Sequence, residues 1–178
     1  IPVVVSDHEK AGRLAARNFI TSGCRHIIHI GDKKLSKVES YKCHRVLEQE
    51  LKKAGIKSRF IEIKWNEFDF FGYLDIAVTI LEKYPEIDGV MAADIQASAF
   101  LKAALSMGKK VPEDFAVISL DGTYVTDIGL MNMTSLVQSI EQIGDAAVKI
   151  LLDLLQGKKI TRRKVIIDIC EKKGETTK

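Results

Sequence analysis

The chain has 178 residues, of which 46% are apolar and 29% are charged. This composition excludes a disordered tail and a collagen-like fibre, and the length suffices for one large domain or two small ones. Basic and acidic side chains number 27 and 24, and the resulting net charge of +3 excludes a highly charged nucleic-acid-binding arm.

In chain order, six short runs rich in valine and isoleucine predict β-strands. They are Val3–Ser6, His26–Ile30, Arg59–Ile63, Gly89–Ala93, Phe115–Leu120 and Lys164–Ile169. The chain opens almost directly on the first of these strands, without an initiator methionine. This beginning indicates the C-terminal part of a longer protein.

Apolar residues at helical spacing lie between the strands and predict five helices. The stripes begin at Ala11, Cys43, Phe70, Ala97 and Ile140. From His26 onward, four successive strands start roughly 30 residues apart, which is the length of one strand–helix unit. Such units form parallel sheets with helices on both faces, so the sequence predicts a doubly wound α/β fold. No apolar run is long enough for a membrane-spanning helix.

Polar side chains follow several of the predicted strands, at the sheet edge where ligands of such folds bind. They include Asp7, Trp65, Asn66, Asp94 and Asp121. Carboxylates accept hydrogen bonds from neighbouring hydroxyl groups, and an indole packs on the C–H face of a sugar ring. Any single aspartate is better explained as a helix cap or turn residue. For the whole set, a polar small-molecule site and a structural role are equally open.

The histidines and cysteines do not form a catalytic or metal-binding pattern. His26 and His29 are three residues apart on one strand and point to opposite faces, which excludes a metal pair. Cys43 and His44 are neighbours on a helix, about 100° apart, and cannot act as nucleophile and base. Three cysteines without a Cys-x-x-Cys pair predict free thiols in a reducing cytoplasm. We therefore expect no enzymatic activity, no metal and no cofactor.

Several stretches, taken together and in order, point to a known family. They are Val-Val-Val-Ser-Asp at 3–7, Arg-His-Ile-Ile-His-Ile-Gly at 25–31, Ile-Asp-Gly-Val-Met-Ala-Ala-Asp at 87–94, and the segment at 108–122 containing Val-Pro-Glu-Asp-Phe. These stretches resemble the lac repressor family of bacterial transcription regulators. The resemblance runs across almost the whole chain.

The resemblance implies two Rossmann-like lobes of the periplasmic-binding-protein type around an effector cleft. Residues 1–22 and 135–157 would form an incomplete first lobe, and residues 24–132 and 164–170 the second. The DNA-binding headpiece, an N-terminal helix-turn-helix, would be absent from this chain. The implied function is the effector-sensing and dimerisation core of a cytoplasmic repressor, which binds a small sugar or related metabolite and controls operator binding allosterically. The alternative is a periplasmic sugar-binding protein of a transporter.

The resemblance also suggests a homodimer and assigns site residues. The helix Ile95–Met107 and the segment Val125–Leu130 would form the dimer interface in the second lobe. Asp121 matches the family's sugar-binding aspartate. Asp94 matches the aspartate of its usual Asn-Asp pair, where Ala93 replaces the asparagine.

Three further positions complete the implied site. Ile140 matches a residue that packs on the ligand. The aromatic position at a strand end would be taken by Trp65, Asn66 or Glu67. Cys43 stands where the family places an effector-clamping arginine. Because a thiol cannot replace the forked donors of a guanidinium, we expect an altered effector or a weaker response to sugar.

Overall fold

A computed structural model describes residues 1–32, 38–64 and 67–178 of the chain. Within these residues the protein has α/β architecture, as the sequence predicts. The helices are α1 (His8–Ser22), α2 (Lys42–Lys53), α3 (Phe70–Lys83), α4 (Asp94–Ser106) and α5 (Ile140–Leu155). The strands are β1 (Val3–Ser6), β2 (His26–Gly31), β3 (Lys57–Glu62), β4 (Gly89–Ala93), β5 (Ala116–Asp121), β6 (Thr134–Gln138), β7 (Lys164–Ile167) and β8 (Ile169–Lys172).

The strands form two sheets. The larger sheet has the order β3-β2-β4-β5-β6-β8; its first five strands are parallel, and β8 runs antiparallel to β6. The smaller sheet consists of β1 and β7, which are parallel. The carboxyl ends of the parallel strands in the larger sheet therefore meet at one edge.

Helices cover both faces of the larger sheet. On one face, α3 and α4 bury an apolar core around Leu81 and Phe100. On the other face, α1 and α2 bury Phe19 and Leu47 against the sheet. The helices α1 and α2 approach closely at Gly12, where an added Cβ would lie 2.5 Å from the carbonyl oxygen of Cys43. This contact fixes the start of α2, which carries two residues of the candidate site.

The packing of the helices and strands divides the chain differently from the two lobes that the resemblance implies. The helix α1 was expected in the first lobe, but it packs on the larger sheet. Its buried residues Ala11, Ala15 and Ala16 share a core with residues of α2. Residues 135–138 likewise belong to the larger sheet, as most of β6. The run Lys164–Ile169 divides at Asp168: β7 pairs with β1, and β8 pairs with β6. The smaller part thus consists of β1, α5 and β7.

The helix α5 packs against the smaller sheet, yet none of its residues is buried. Its apolar stripe is largely open to solvent, with Leu151, Leu152 and Leu155 among its exposed side chains. Exposed leucines at helical spacing are typical of a surface that another structural element covers.

Candidate functional site

A cavity of about 290 Å³ lies at the carboxyl ends of the strands in the larger sheet. Its size is close to the lower limit for small-molecule sites. Apolar residues and one glycine form much of its wall: Ala11, Ile30, Gly31, Cys43, Ile63, Ala93, Leu120, Leu136 and Ile169. The polar residues of the wall are His8, Asp32, Ser40, Tyr41, His44, Gln96, Asp121 and Gln138.

Asp121 ends β5 and reaches the cavity in an unusual backbone conformation. Its φ angle of 88° lies in the left-handed region, which costs a residue other than glycine about 1–3 kcal/mol. The carboxylate accepts a hydrogen bond from Nε2 of Gln138, its one side-chain donor among the residues described. Burial raises the pKa of Asp121 and nearby Asp94 adds to the increase, whereas the bond from Gln138 opposes it. Asp121 therefore presents an acceptor to the cavity.

Gln138 links Asp121 to the smaller sheet. The hydroxyl of Ser6, on β1, donates a hydrogen bond of 2.6 Å to Oε1 of Gln138. Because this bond occupies the amide oxygen, the amide nitrogen must face Asp121. The orientation of the Asp121 carboxylate thus depends on a residue from each sheet.

Asp94 has a positioning role instead of the expected ligand contact. Its buried carboxylate accepts bonds from the Ser119 hydroxyl, from the backbone N–H of Gly122 at 3.2 Å, and from both the N–H and the hydroxyl of Thr123 at 2.6 Å. Both oxygens are engaged, and Asp94 does not line the cavity. It holds the turn after β5, and so it positions Asp121.

Asp7 and Ile140 also lie outside the cavity wall. Asp7 caps α1, because its carboxylate accepts a bond of 2.8 Å from the N–H of Lys10. Ile140 begins α5 and is 72% exposed. Trp65 and Asn66 fall outside the residues that the structure describes.

Cys43 lines the cavity. It is buried, and burial raises the pKa of its thiol to about 12. The thiol therefore stays protonated at neutral pH and forms a small, weakly polar wall. A guanidinium at this position would have supplied a strong cationic donor.

A histidine pair that the sequence analysis did not assign stands beside the cavity. The Nδ1 atoms of His29 and His44 are 3.2 Å apart, and the two rings stack with their centres separated by 5.3 Å. Burial lowers the pKa of His29 to about 3 and that of His44 to about 4. Both imidazoles are therefore neutral, and one donates to the other.

Gln96 is a second wall residue that the sequence analysis missed. It lies on α4, one turn after Ala93, and is only 4% exposed. A signal was present in the sequence, since Gln96 interrupts a helix whose neighbouring residues are small or apolar. For His44 the sequence offered no comparable signal, because its partner His29 lies on another element.

Residues 1–32, 38–64 and 67–178 lack two kinds of feature. These ranges contain no group of three or more histidine, cysteine or acidic residues that could hold a metal ion. They also contain no helix with the length and apolar character needed to cross a membrane.

Comparison with known proteins identifies relatives of the chain. Residues 16–177 match the periplasmic binding protein-like domain family. The ribose operon repressor of Halalkalibacterium halodurans is 28% identical, over 100% of this chain and 53% of that protein. The HTH-type transcriptional regulator CelR of Thermobifida fusca is 28% identical, over 85% of this chain and 44% of that protein. The chain thus spans about half the length of these relatives.

Solved structures share the fold. A ribose operon repressor protein from Lactobacillus acidophilus superposes with a TM-score of 0.87 at 23% identity, over 100% of this chain and 65% of that chain. A LacI family transcriptional regulator from Arthrobacter sp. FB24, in complex with lactose, gives a TM-score of 0.84 at 24% identity, over 99% of this chain and 66% of that chain. These findings confirm the predicted fold class and the resemblance. The relatives are named as regulators, in agreement with the expectation of a non-enzymatic protein.

Proposed function

The chain belongs to the periplasmic binding protein-like domain family, and from this premise we propose that it is the effector-sensing core of a transcriptional repressor. The cavity at the carboxyl ends of the larger sheet carries the proposal. It offers the carboxylate of Asp121 and several uncharged polar groups over an apolar floor. This is the chemistry that binds a small sugar or related metabolite.

The ligand would lie in a cleft between two lobes. The smaller sheet and α5 supply part of the first lobe, and the exposed leucines of α5 are the surface on which the rest of that lobe would pack. Ile140, at the start of α5, would face the ligand only in the complete cleft. In this proposal Asp121 binds a ligand hydroxyl, Asp94 positions Asp121, and Cys43 narrows the cavity.

The repressor would act as a homodimer through the second lobe. The helix α4 and residues 125–130 flank an apolar groove of about 420 Å³. Ile95, Ile128 and Leu130 are exposed along it. Burying such side chains against a second copy would stabilise a two-fold dimer.

The relative arrangement of the two lobes would then control the affinity for operator DNA. An N-terminal helix-turn-helix, outside this chain, would bind operator DNA in the cytoplasm. An effector that binds one lobe arrangement more tightly than the other would shift the population between them and change the affinity for the operator. The alternative, a periplasmic sugar-binding protein, is not favoured, because the curated relatives named above are an operon repressor and an HTH-type regulator.

The full chain, including its N-terminal part, provides the test. Operator binding is measured by gel shift, with the DNA upstream of its own gene as the probe, in the absence and presence of a panel of monosaccharides and disaccharides. We expect specific DNA binding whose affinity at least one sugar changes about tenfold or more, a coupling of the usual size. The proposal fails if the full chain does not bind this DNA, or if a signal peptide directs it out of the cytoplasm.

A further inference from the structure

An ion pair connects the smaller sheet to the wall of the cavity. Nζ of Lys164, the first residue of β7, lies 2.9 Å from Oε1 of Glu39. Glu39 begins a short 3₁₀ helix, Glu39–Tyr41, which leads directly into α2. Because β7 belongs to the smaller part of the chain and α2 packs on the larger sheet, this contact joins the two parts, as the bond between Ser6 and Gln138 also does.

The second oxygen of the Glu39 carboxylate is held by the larger part of the chain. Nζ of Lys42, the first residue of α2, lies 2.9 Å from Oε2 of Glu39. Hydrogen bonds from Lys42 and Lys164 lower the pKa of Glu39 to about 2. Glu39 is therefore ionised at neutral pH, and its charge is shared between one lysine from each part of the chain.

The short helix carries two residues of the cavity wall, Ser40 and Tyr41. The ring of Tyr41 packs against the rings of His44 and Phe60, with ring centres 5.3 and 5.5 Å apart. A single turn of 3₁₀ helix has poor hydrogen-bond geometry, so side-chain contacts must fix its position. The ring contacts fix Tyr41 against α2 and β3, and Glu39 supplies the connection to the smaller sheet.

We propose that Glu39 and Lys164 are positioning residues for the cavity: their ion pair is a strap that ties the short helix to the smaller sheet and opens when the two parts of the chain move apart. This inference rests on the proposed function, since it concerns the same cavity. The strap makes the position of Ser40 and Tyr41 depend on the arrangement of the lobes. Because an exposed ion pair contributes little to global stability, its effect is expected on the wall of the cavity and not on the Tm.

The first test is amide hydrogen exchange in the full chain, including its N-terminal part, without ligand. Lys164→Met removes the ammonium group and keeps an unbranched side chain. We expect the peptide that covers residues 39–44 to exchange about two- to fivefold faster, with a Tm within about 1 °C of the original. Lys164→Arg retains the charge and is expected to exchange like the original chain.

Lys158→Met is the matched control. Lys158 forms an ion pair of the same length, 2.9 Å, with Asp153 of α5, so its loss should leave the exchange of residues 39–44 unchanged. In 1 M salt, where the screening length is about 3 Å, the difference between the original chain and Lys164→Met should disappear. Unchanged exchange in Lys164→Met, or a difference that persists in 1 M salt, would overturn the inference.

The second test measures the response to sugar in the gel-shift assay with the DNA upstream of the gene. We expect Lys164→Met to raise the sugar concentration at half-maximal effect about two- to fivefold, whereas Lys164→Arg and Lys158→Met leave it unchanged. An unchanged response in Lys164→Met would mean that the short helix does not position the ligand, and would overturn the inference. If the original chain neither binds this DNA nor responds to a sugar, the proposed function fails, and hydrogen exchange still decides whether the strap exists.

Discussion

Asp121 combines a strained backbone with a half-buried carboxylate, two features that a simple turn residue does not need. The turn after β5 is already held by Asp94, whose oxygens bond to Ser119, Gly122 and Thr123. Asp121 has only the amide of Gln138 as a side-chain donor among the described residues. Strain retained at such a position is typical of a binding site, where the surrounding structure imposes it.

Replacing Asp121 therefore tests its role as ligand acceptor. Asp121→Asn keeps the size of the side chain and tolerates the left-handed conformation, but it removes the charge. We expect a loss of effector affinity of about 1.5–3 kcal/mol, equivalent to ten- to a hundredfold. Calorimetry with the sugar that binds best would measure it, with the exposed residue Asp75 on α3 changed to asparagine as control. A change below about twofold would make Asp121 a turn residue.

The pair of His29 and His44 predicts how stability depends on pH. The pKa values of about 3 and about 4 in the folded state lie below the value of about 6.5 for an unfolded chain. The unfolded state therefore binds more protons between pH 6.5 and pH 4, and the free energy of unfolding falls as the pH is lowered through this window. The greatest slope from two such groups is about 2.7 kcal/mol per pH unit.

Urea unfolding at several pH values would measure this effect. His29→Leu removes one of the two groups and also an Nε2 atom that has no hydrogen-bond partner in the described part of the chain. We expect higher stability at neutral pH and a slope smaller by up to about 1.4 kcal/mol per pH unit. His26→Leu, on the same strand, shows how much of the change comes from replacing a histidine there. An unaltered slope in His29→Leu would mean that the pair titrates like free histidine.

At the scale of elements, the sequence predicts the strands whose buried residues are mainly apolar. It predicts four of the six strands of the larger sheet, reaches only the first residue of β8, and does not predict β6. The residues Thr134 and Ser135 begin β6 and are buried as polar residues. Thr134 is satisfied there by Thr176 and Thr177 from the C-terminal tail. No local pattern shows that a distant segment will provide these hydrogen bonds.

The same limit explains why α1 was expected in the first lobe and why Lys164–Ile169 was expected to form a single strand. The apolar stripe of α1 predicts a helix, but not the sheet on which that helix packs. The run Lys164–Ile169 has the composition of one strand, although Lys164–Ile167 pairs with β1 and Ile169 begins the strand that pairs with β6. In the candidate site, Asp121 and Cys43 were accessible to sequence reasoning. Gln138 was not, because its contact with Asp121 depends on strand register.

The contact between α1 and α2 gives a prediction about a single glycine. Gly→Ala within a helix normally stabilises a protein by about 0.5–1 kcal/mol. At Gly12 the new Cβ would lie 2.5 Å from the Cys43 carbonyl oxygen and 2.9 Å from Cβ of Val46. We expect Gly12→Ala to destabilise the protein by about 1–3 kcal/mol, because the helices must separate. Urea unfolding measures the change.

Gly144 provides the matched control for this prediction. It lies within α5, where an added Cβ meets no atom within 4 Å. Gly144→Ala is therefore expected to show the ordinary gain in stability. If both substitutions stabilise the protein, α1 and α2 are further apart than the structure indicates.

At the scale of the whole molecule, the candidate site and the proposed dimer surface lie on different sides of the larger sheet and its helices. The cavity is at the carboxyl ends of the strands, and α4 contributes to both, through Gln96 on one side and Ile95 on the other. Neighbouring residues of one helix thus line the cavity and the apolar groove. A small displacement of α4 upon ligand binding would reach both surfaces.

The dimer surface provides the last prediction. Leu130 is 73% exposed beside the apolar groove, so a charge at this position should not disturb the fold. In a dimer, however, Leu130→Asp would place two carboxylates related by the two-fold axis into an apolar interface, which is strongly unfavourable. We expect a dissociation constant at least tenfold higher by sedimentation velocity, with an unchanged Tm for the monomer. Ile20→Asp, an exposed site on α1, is the control and should remain dimeric. A dimer that survives in Leu130→Asp would place the interface on another surface.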